Sequence, residues 1–122
     1  MSGSYSGTVC NNQIVDVGAT VRYGQETGPD LVYTGMTISE HTSGTPAAGS
    51  GDSGGPAIGI VNGSPHAFGI ISGIANGTEH CTGIAGSTAP RGRKCSPLVV
   101  TGPVANLQIA PGGLGWSIAT TF

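Results

Sequence analysis

The most constraining feature of this sequence is a series of short apolar and β-branched runs that glycine interrupts every few residues. Glycine supplies 23 of the 122 residues, and proline supplies 8 more. No segment of ten or more residues combines helical apolar spacing with helix start and stop signals. The glycines follow no triplet period, which excludes a collagen-like chain. The pattern therefore predicts a small all-β domain with frequent turns.

Strand signals occupy seven segments, and the clearest of them form a hairpin. Asn62-Gly63 stands between two apolar runs, which is one of the strongest short-range signals for a hairpin. A long loop is predicted over residues 39–55, and the apolar tail 111–122, which Gly112-Gly113 interrupts, is left unplaced. The predicted strands are residues 5–10, 14–23, 31–38, 56–61, 67–72, 82–88 and 98–104.

Length and charge limit the class of protein to which the chain belongs. A chain of 122 residues is expected to form one domain with one modest core. Charged residues make up only 8% of it, unlike a disordered chain. No apolar run approaches the roughly 20 residues that cross a membrane, so no membrane partner is expected. The opening Met1-Ser2-Gly3-Ser4 has neither a basic region nor an apolar core, so no signal peptide is predicted there.

Three of the four basic residues form a cluster, Arg91, Arg93 and Lys94. A nucleic-acid site needs a broader basic face and aromatic side chains for stacking, so no nucleic-acid partner is expected. The simpler interpretation of the cluster is a solvated loop.

The chain has an odd number of cysteines: Cys10, Cys81 and Cys95. Cys81 and Cys95 flank a stretch rich in Gly, Thr and Pro, and we predict a disulfide that closes this loop. Cys10 is then either a buried thiol or a cysteine whose partner lies elsewhere. A disulfide together with low charge and many small polar residues favours an extracellular origin.

The hexapeptide Gly51-Asp52-Ser53-Gly54-Gly55-Pro56 combines an acid, a hydroxyl and three glycines. A serine hydroxyl is a weak nucleophile that needs an adjacent base and donors for the developing oxyanion. Glycine permits a tight turn in which the amides of Gly51 and Ser53 point at one spot. Asp52 lies in a long stretch that holds no other charge, and a buried carboxylate there needs a cation or several amide donors.

This hexapeptide resembles the nucleophile motif of the chymotrypsin-like serine proteases. Three further segments are similar to strands of the bacterial, streptogrisin-like branch, and the resemblance spans about residues 4–89. It implies an all-β fold in which residues 1–122 form a single antiparallel Greek-key barrel of six strands, equivalent to the C-terminal half of the family. The similar segments are residues 4–9, 32–36 and 67–73.

The resemblance implies a role for each residue of the turn. Ser53 is the nucleophile, and the amides of Gly51 and Ser53 form the oxyanion hole. Asp52 stabilises the loop by pairing with a buried cation, which in the family is a new N-terminus or an arginine just before these strands. Because this chain opens with Met1-Ser2, that cation is expected to be missing. No metal and no cofactor is implied.

The resemblance also implies where a peptide substrate lies. Ser72, Gly73 and Ile74 match the strand that pairs with the substrate backbone, and Ala47 and Ala48 fall at the floor of the specificity pocket. This floor has no acid, and isoleucine narrows the pocket, so a small or medium apolar residue is expected at the cleavage position. The cysteine that the family commonly places just before the motif is absent.

In the family the base histidine and its aspartate come from an N-terminal barrel, and nothing here matches that barrel. His41, His66 and His80 lie in predicted loops and are interpreted as surface residues, although a His41–Ser53 dyad stays open. The prediction is therefore half of a secreted serine endopeptidase, with little activity unless the N-terminal barrel is supplied in cis or in trans. The alternative is a non-catalytic β-barrel module that binds peptides or forms a homo-oligomer.

Overall fold

All regular structure in the described residues is β-strand, so the all-β prediction is confirmed. The computed structural model describes residues 1–81 and 92–103. The predicted strand 82–88 and the tail 111–122 lie outside these residues. The strands are β1 Ser2–Gly3, β2 Gly7–Thr8, β3 Asn12–Tyr23, β4 Leu31–His41, β5 Ala48–Gly49, β6 Pro56–Val61, β7 Ser64–Ile74, β8 Cys95–Ser96 and β9 Leu98–Pro103.

Five strands form one antiparallel sheet in the order β3-β4-β9-β7-β6. The remaining strands form two short pairs, β1 with β2 and β5 with β8. Within the described residues β3 and β6 are the two edges of the main sheet, and no strand joins them. The closed six-stranded barrel is therefore not confirmed, whereas the antiparallel arrangement is.

The hairpin of β6 and β7 follows from its two turn residues. Asn62 and Gly63 both have positive φ, at 49° and 79°, and Val61 pairs directly with Ser64. A two-residue turn of this kind needs left-handed backbone at both positions, which asparagine and glycine tolerate. Because the turn uses only two residues, β7 begins at Ser64, three residues earlier than predicted.

The predicted loop 39–55 is shorter than expected because both of its ends find strand partners. β4 continues to His41, since Ser39 and Glu40 pair with β9. Ala48 and Gly49 form β5 and pair with β8. The loop prediction for this segment was therefore wrong at these residues, and the reason is long-range pairing that local composition does not reveal.

The core lies beneath β9 and next to the motif. Val99 is fully buried, and it packs with Ile71, Ala47 and Ala48, while Ile74 packs against this cluster from its edge. The motif is therefore anchored to the best-packed part of the described chain. In the described ranges no helix has the length and apolar character that crossing a membrane requires.

Candidate active site around Ser53

Asp52 is buried directly beneath the motif, with 1% of its surface exposed. Its Oδ1 accepts hydrogen bonds from the amides of Tyr5, at 2.9 Å, and Ser6, at 3.1 Å. Its Oδ2 accepts from the amide of Gly49 at 2.8 Å and from the hydroxyl of Ser6. The carboxylate thus joins the first residues of the chain to the loop before Ser53.

Arg93 supplies the cation that this carboxylate needs. Its Nη2 lies 2.7 Å from Asp52 Oδ2, and the two side chains are only 5% and 0% exposed. Arg93 also donates from Nε to the Ser50 carbonyl at 2.8 Å and from Nη2 to Ser6 Oγ at 2.7 Å. Its guanidinium carbon lies 5.5 Å from the centre of the Tyr5 ring, within cation–π range.

Two expectations from the sequence were therefore wrong. The cation for Asp52 is present, and it comes from Arg93, 41 residues after Asp52, rather than from before the motif. The solvated-loop interpretation fails for Arg93, which is buried. A signal was available: the chain has only four basic residues, and a buried aspartate has to be paired with a cation or with several donors.

Two opposing effects act on the pKa of Asp52. Burial raises it, whereas hydrogen bonds from the Ser6 hydroxyl and from the amides of Tyr5, Ser6 and Gly49 lower it. The hydrogen bonds prevail, so the pKa of Asp52 lies below the usual value for aspartate. The carboxylate is therefore charged at neutral pH, and its contact with Arg93 is a buried ion pair.

The predicted disulfide between Cys81 and Cys95 is confirmed. Cys95 follows Arg93 by two residues, and its Sγ occupies the space that a side chain at Gly49 would need. The disulfide therefore holds the segment that carries Arg93 against the loop before the motif. Cys10 is a free and exposed thiol.

The turn itself is built from short-range hydrogen bonds and left-handed glycines. The amide of Asp52 donates to Gly49 O, and the amide of Gly55 donates to Asp52 O, each at 3.0 Å. Gly51 and Gly54 have φ of 92° and 87°, which disfavours any other residue at either position. A side chain at Gly51 would also overlap the ring of Tyr5.

Ser53 is exposed at the tip of this turn. Among the described residues, the amides of Gly51 and Ser53 donate no hydrogen bond to the protein. The intervening and following amides do donate, that of Asp52 to Gly49 O and that of Gly54 to Ile71 O at 2.9 Å. An oxyanion hole needs amides that are not engaged elsewhere, and these two meet that condition.

Residues 72–74, which the sequence assigned to the substrate strand, lie just beyond the part of β7 that pairs with β6. The last residue of β7 that pairs with β6 is Ile70, opposite Pro56. Beyond it, Gly73 and Ile74 pair with β9 on the other side only, as far as the described residues show. This part of β7, residues 72–74, therefore presents a free edge next to the motif.

Tyr23, at the end of β3, is a neighbour of this edge that sequence reasoning missed. Its hydroxyl donates to Ser72 Oγ at 3.3 Å. Its ring occupies the space that a side chain at Gly73 would need. Ala47 and Ala48, assigned to the pocket floor, are 1% and 0% exposed and belong to the core, so they form no open wall in this conformation.

The three histidines make their hydrogen bonds away from Ser53 in the described residues. The prediction that all three lie in loops was wrong for His41 and His66, which lie in β4 and β7. His41 Nδ1 accepts from the Ser43 amide at 3.1 Å, so this nitrogen is not available to donate to an orienting carboxylate. In the described part of the chain, no histidine side chain forms a hydrogen bond with Ser53.

Comparison of the chain with protein-family models, curated protein sequences and solved structures gave no match. Within residues 1–81 and 92–103, no group of three or more His, Cys, Asp and Glu side chains is placed to hold a metal ion. Any function assigned to the chain therefore depends on the residues and geometry around Ser53.

Proposed function

We propose that this chain is the nucleophile-bearing half of a secreted, chymotrypsin-like serine endopeptidase. The observation that carries the proposal is the buried Asp52–Arg93 ion pair, which lies beneath a turn with an exposed Ser53 and two unengaged amides. A buried ion pair is weak evidence for stability alone, because apolar side chains fill such space at least as well. Its position under a potential nucleophile favours a role in fixing the turn.

In the proposed reaction Ser53 Oγ attacks the carbonyl carbon of the scissile peptide bond. A histidine takes the hydroxyl proton, and the amides of Gly51 and Ser53 donate to the oxyanion. The histidine then gives the proton to the leaving amine as the C–N bond breaks and an acyl-enzyme remains. Water, deprotonated by the same histidine, hydrolyses that ester and restores Ser53. The substrate backbone pairs with the free edge of residues 72–74.

The proposed architecture is a six-stranded Greek-key barrel. The order β4-β9-β7-β6 supports it. In this sheet β6, β7 and β9 lie side by side, and β4, which precedes all three in the chain, lies next to β9, as in a Greek key. The histidine and aspartate are proposed to come from an N-terminal barrel, in cis or in trans. The confirmed disulfide supports the extracellular assignment. Without the base, only binding and the oxyanion hole contribute to catalysis, so activity is expected to be several orders of magnitude lower.

Chemical rescue of the missing base tests this proposal. The chain is incubated with a fluorophosphonate with and without imidazole, and the product is analysed by intact mass and peptide mapping. We expect slow labelling that imidazole accelerates and that maps to Ser53, because the turn stabilises the transition state once a base is present. Ser53→Ala should abolish the adduct, whereas Ser43→Ala, at another exposed serine, should leave the labelling rate unchanged.

Label spread evenly over exposed serines would argue against an oxyanion hole at this turn. Fast labelling of Ser53 without imidazole would show that the chain already holds a working base, and the half-enzyme assignment would then be wrong. No labelling of a folded sample under either condition would favour the alternative, a non-catalytic module that binds peptides or associates with itself.

A further inference from the structure

A cavity of about 580 Å³ lies between the two edges of the main sheet, and its lining includes residues 1–2 and 8–11 and also Pro56, the last residue of the hexapeptide. β3 contributes Asn12 and Ile14 to its wall, and β6 contributes Ile58 and Ile60 from the other side. Its size is within the range of pockets that bind ligands. We call this cavity the edge groove.

Both strands that flank the edge groove are unpaired on their outer sides. In the described residues β3 pairs only with β4, and β6 pairs only with β7. An edge strand presents a row of free N–H and C=O groups, which is a template for an added strand. Two such edges on one cavity favour a strand as the occupant over a compact small molecule.

Two buried polar atoms of the groove wall have no hydrogen-bond partner. Ser39 is only 3% exposed, and its Oγ is unpartnered, as is the buried Oδ1 of Asn12. The side-chain Nδ2 of Asn12 already donates to Val9 O at 2.7 Å, so the atom without a partner is the acceptor Oδ1. A buried polar group without a partner is costly and unusual. A peptide backbone offers the N–H and C=O groups that both atoms lack.

The groove wall also indicates the charge of the occupant. Among the described residues no Asp, Glu, Lys or Arg side chain lines it, and Ile58, Ile60 and Phe68 are 48%, 70% and 49% exposed. Met1 also lines the groove, and its N-terminal ammonium donates to Val9 O at 3.0 Å. A wall with apolar side chains and no charged side chain complements an uncharged segment and disfavours a charged one.

We propose that the edge groove binds an extended, uncharged polypeptide segment with alternating apolar side chains, which lies as a strand between β3 and β6. Its backbone pairs with one or both edges, and Ser39 Oγ and Asn12 Oδ1 gain the partners that they lack. Ser53 is not part of the described lining, and the proposal does not require that the chain be a protease.

The test uses the full chain and a fluorescently labelled hexapeptide of alternating threonine and valine, with blocked ends. Binding is followed by fluorescence anisotropy. We expect saturable binding that Ile58→Asp weakens at least tenfold, because a carboxylate then faces the apolar segment. The matched control is Val17→Asp, on the exposed part of β3 outside the groove, which should leave the affinity unchanged.

Ser39→Ala provides a second and opposite readout. It should weaken binding severalfold through one lost hydrogen bond, yet raise the melting temperature of the free chain by removing an unpartnered buried hydroxyl. A peptide with proline at its central valine, which lacks one N–H, should also bind more weakly.

Three results would overturn the proposal. One is the absence of saturable binding at millimolar peptide, and another is an equal effect of Ile58→Asp and Val17→Asp. The third is a groove that is already occupied without peptide. Self-association that Ile58→Asp abolishes would identify a second copy as the occupant. Slow hydrogen exchange of the β6 edge amides in the monomer would instead identify a segment of the same chain.

Discussion

Replacing Arg93 by methionine tests the central electrostatic feature of the site. The substitution keeps most of the buried volume but removes the charge that lies 2.7 Å from Asp52 Oδ2. The carboxylate would stay buried, with four hydrogen bonds left from the amides of Tyr5, Ser6 and Gly49 and from the Ser6 hydroxyl.

The expected loss of stability is about 3 kcal/mol. Breaking a buried ion pair by removing one partner costs about 3–5 kcal/mol, because the remaining charge is uncompensated. The lower end applies here because the remaining donors keep Asp52 partly satisfied. Lys94→Met is the matched control: its ammonium lies 3.5 Å from Glu79 on the surface, and the two side chains are 53% and 70% exposed. A surface pair of this kind contributes about 0–1 kcal/mol.

Urea unfolding followed by far-UV circular dichroism measures both variants and Asp52→Asn, alone and combined with Arg93→Met. The double-mutant cycle should give a coupling free energy of about 2–3 kcal/mol between Asp52 and Arg93, at the upper end of the range for residues in direct contact. If Arg93→Met lowered the free energy of unfolding no more than Lys94→Met does, the buried ion pair would contribute no more to stability than a surface pair. A coupling near zero would have the same meaning.

Three further predictions follow from the same geometry. Because the pKa of Asp52 is lowered in the folded state, the ionised carboxylate stabilises the fold, and this contribution is complete above the ordinary aspartate pKa of about 3.9. The contribution is lost as pH falls through the lower folded-state pKa. Urea unfolding at stepped pH should show this loss in the natural chain but not in Asp52→Asn. Gly51→Ala should lower the melting temperature more than Gly28→Ala does. Both glycines have φ near 90°, but only at Gly51 would the new methyl group overlap a neighbour, the ring of Tyr5. Equal decreases in melting temperature would exclude that contact. Reduction of the Cys81–Cys95 disulfide, which closes 14 residues, should lower stability in urea by about 3 kcal/mol, and an unchanged midpoint would show that the disulfide does not constrain the fold.

Local chemistry predicted the longer described strands and the main turn well, whereas the predicted strand 5–10 was wrong except at Gly7–Thr8, because residues 4–6 form a turn. The Asn62-Gly63 signal depends only on which residues tolerate positive φ, and the structure has both residues in that conformation. Alternating apolar residues likewise located β3 and most of β4. The disulfide was also predictable, because only three cysteines exist and two of them flank one loop.

Long-range features were not predictable in the same way. The interpretation of Arg93 failed because its neighbours in sequence are glycine and charged residues, whereas its burial depends on Asp52, 41 residues away. The short strand β5 forms only because β8 lies beside it. The contact between Tyr23 and Gly73 depends on how the two strands approach each other in space. These features depend on which segments meet in the folded chain rather than on local composition.

The role of the Asp52–Arg93 pair in fixing the turn is tested most directly by the labelling of Ser53 with a fluorophosphonate in Arg93→Met. The imidazole-dependent rate is measured in folded protein at low temperature. If the Asp52–Arg93 pair holds the amides of Gly51 and Ser53 in place, the variant should label about 100-fold more slowly, the effect of losing one oxyanion donor. Circular dichroism of the same sample should remain that of the natural chain. A labelling rate equal to that of the natural chain would contradict the claim that the buried ion pair fixes the turn for catalysis.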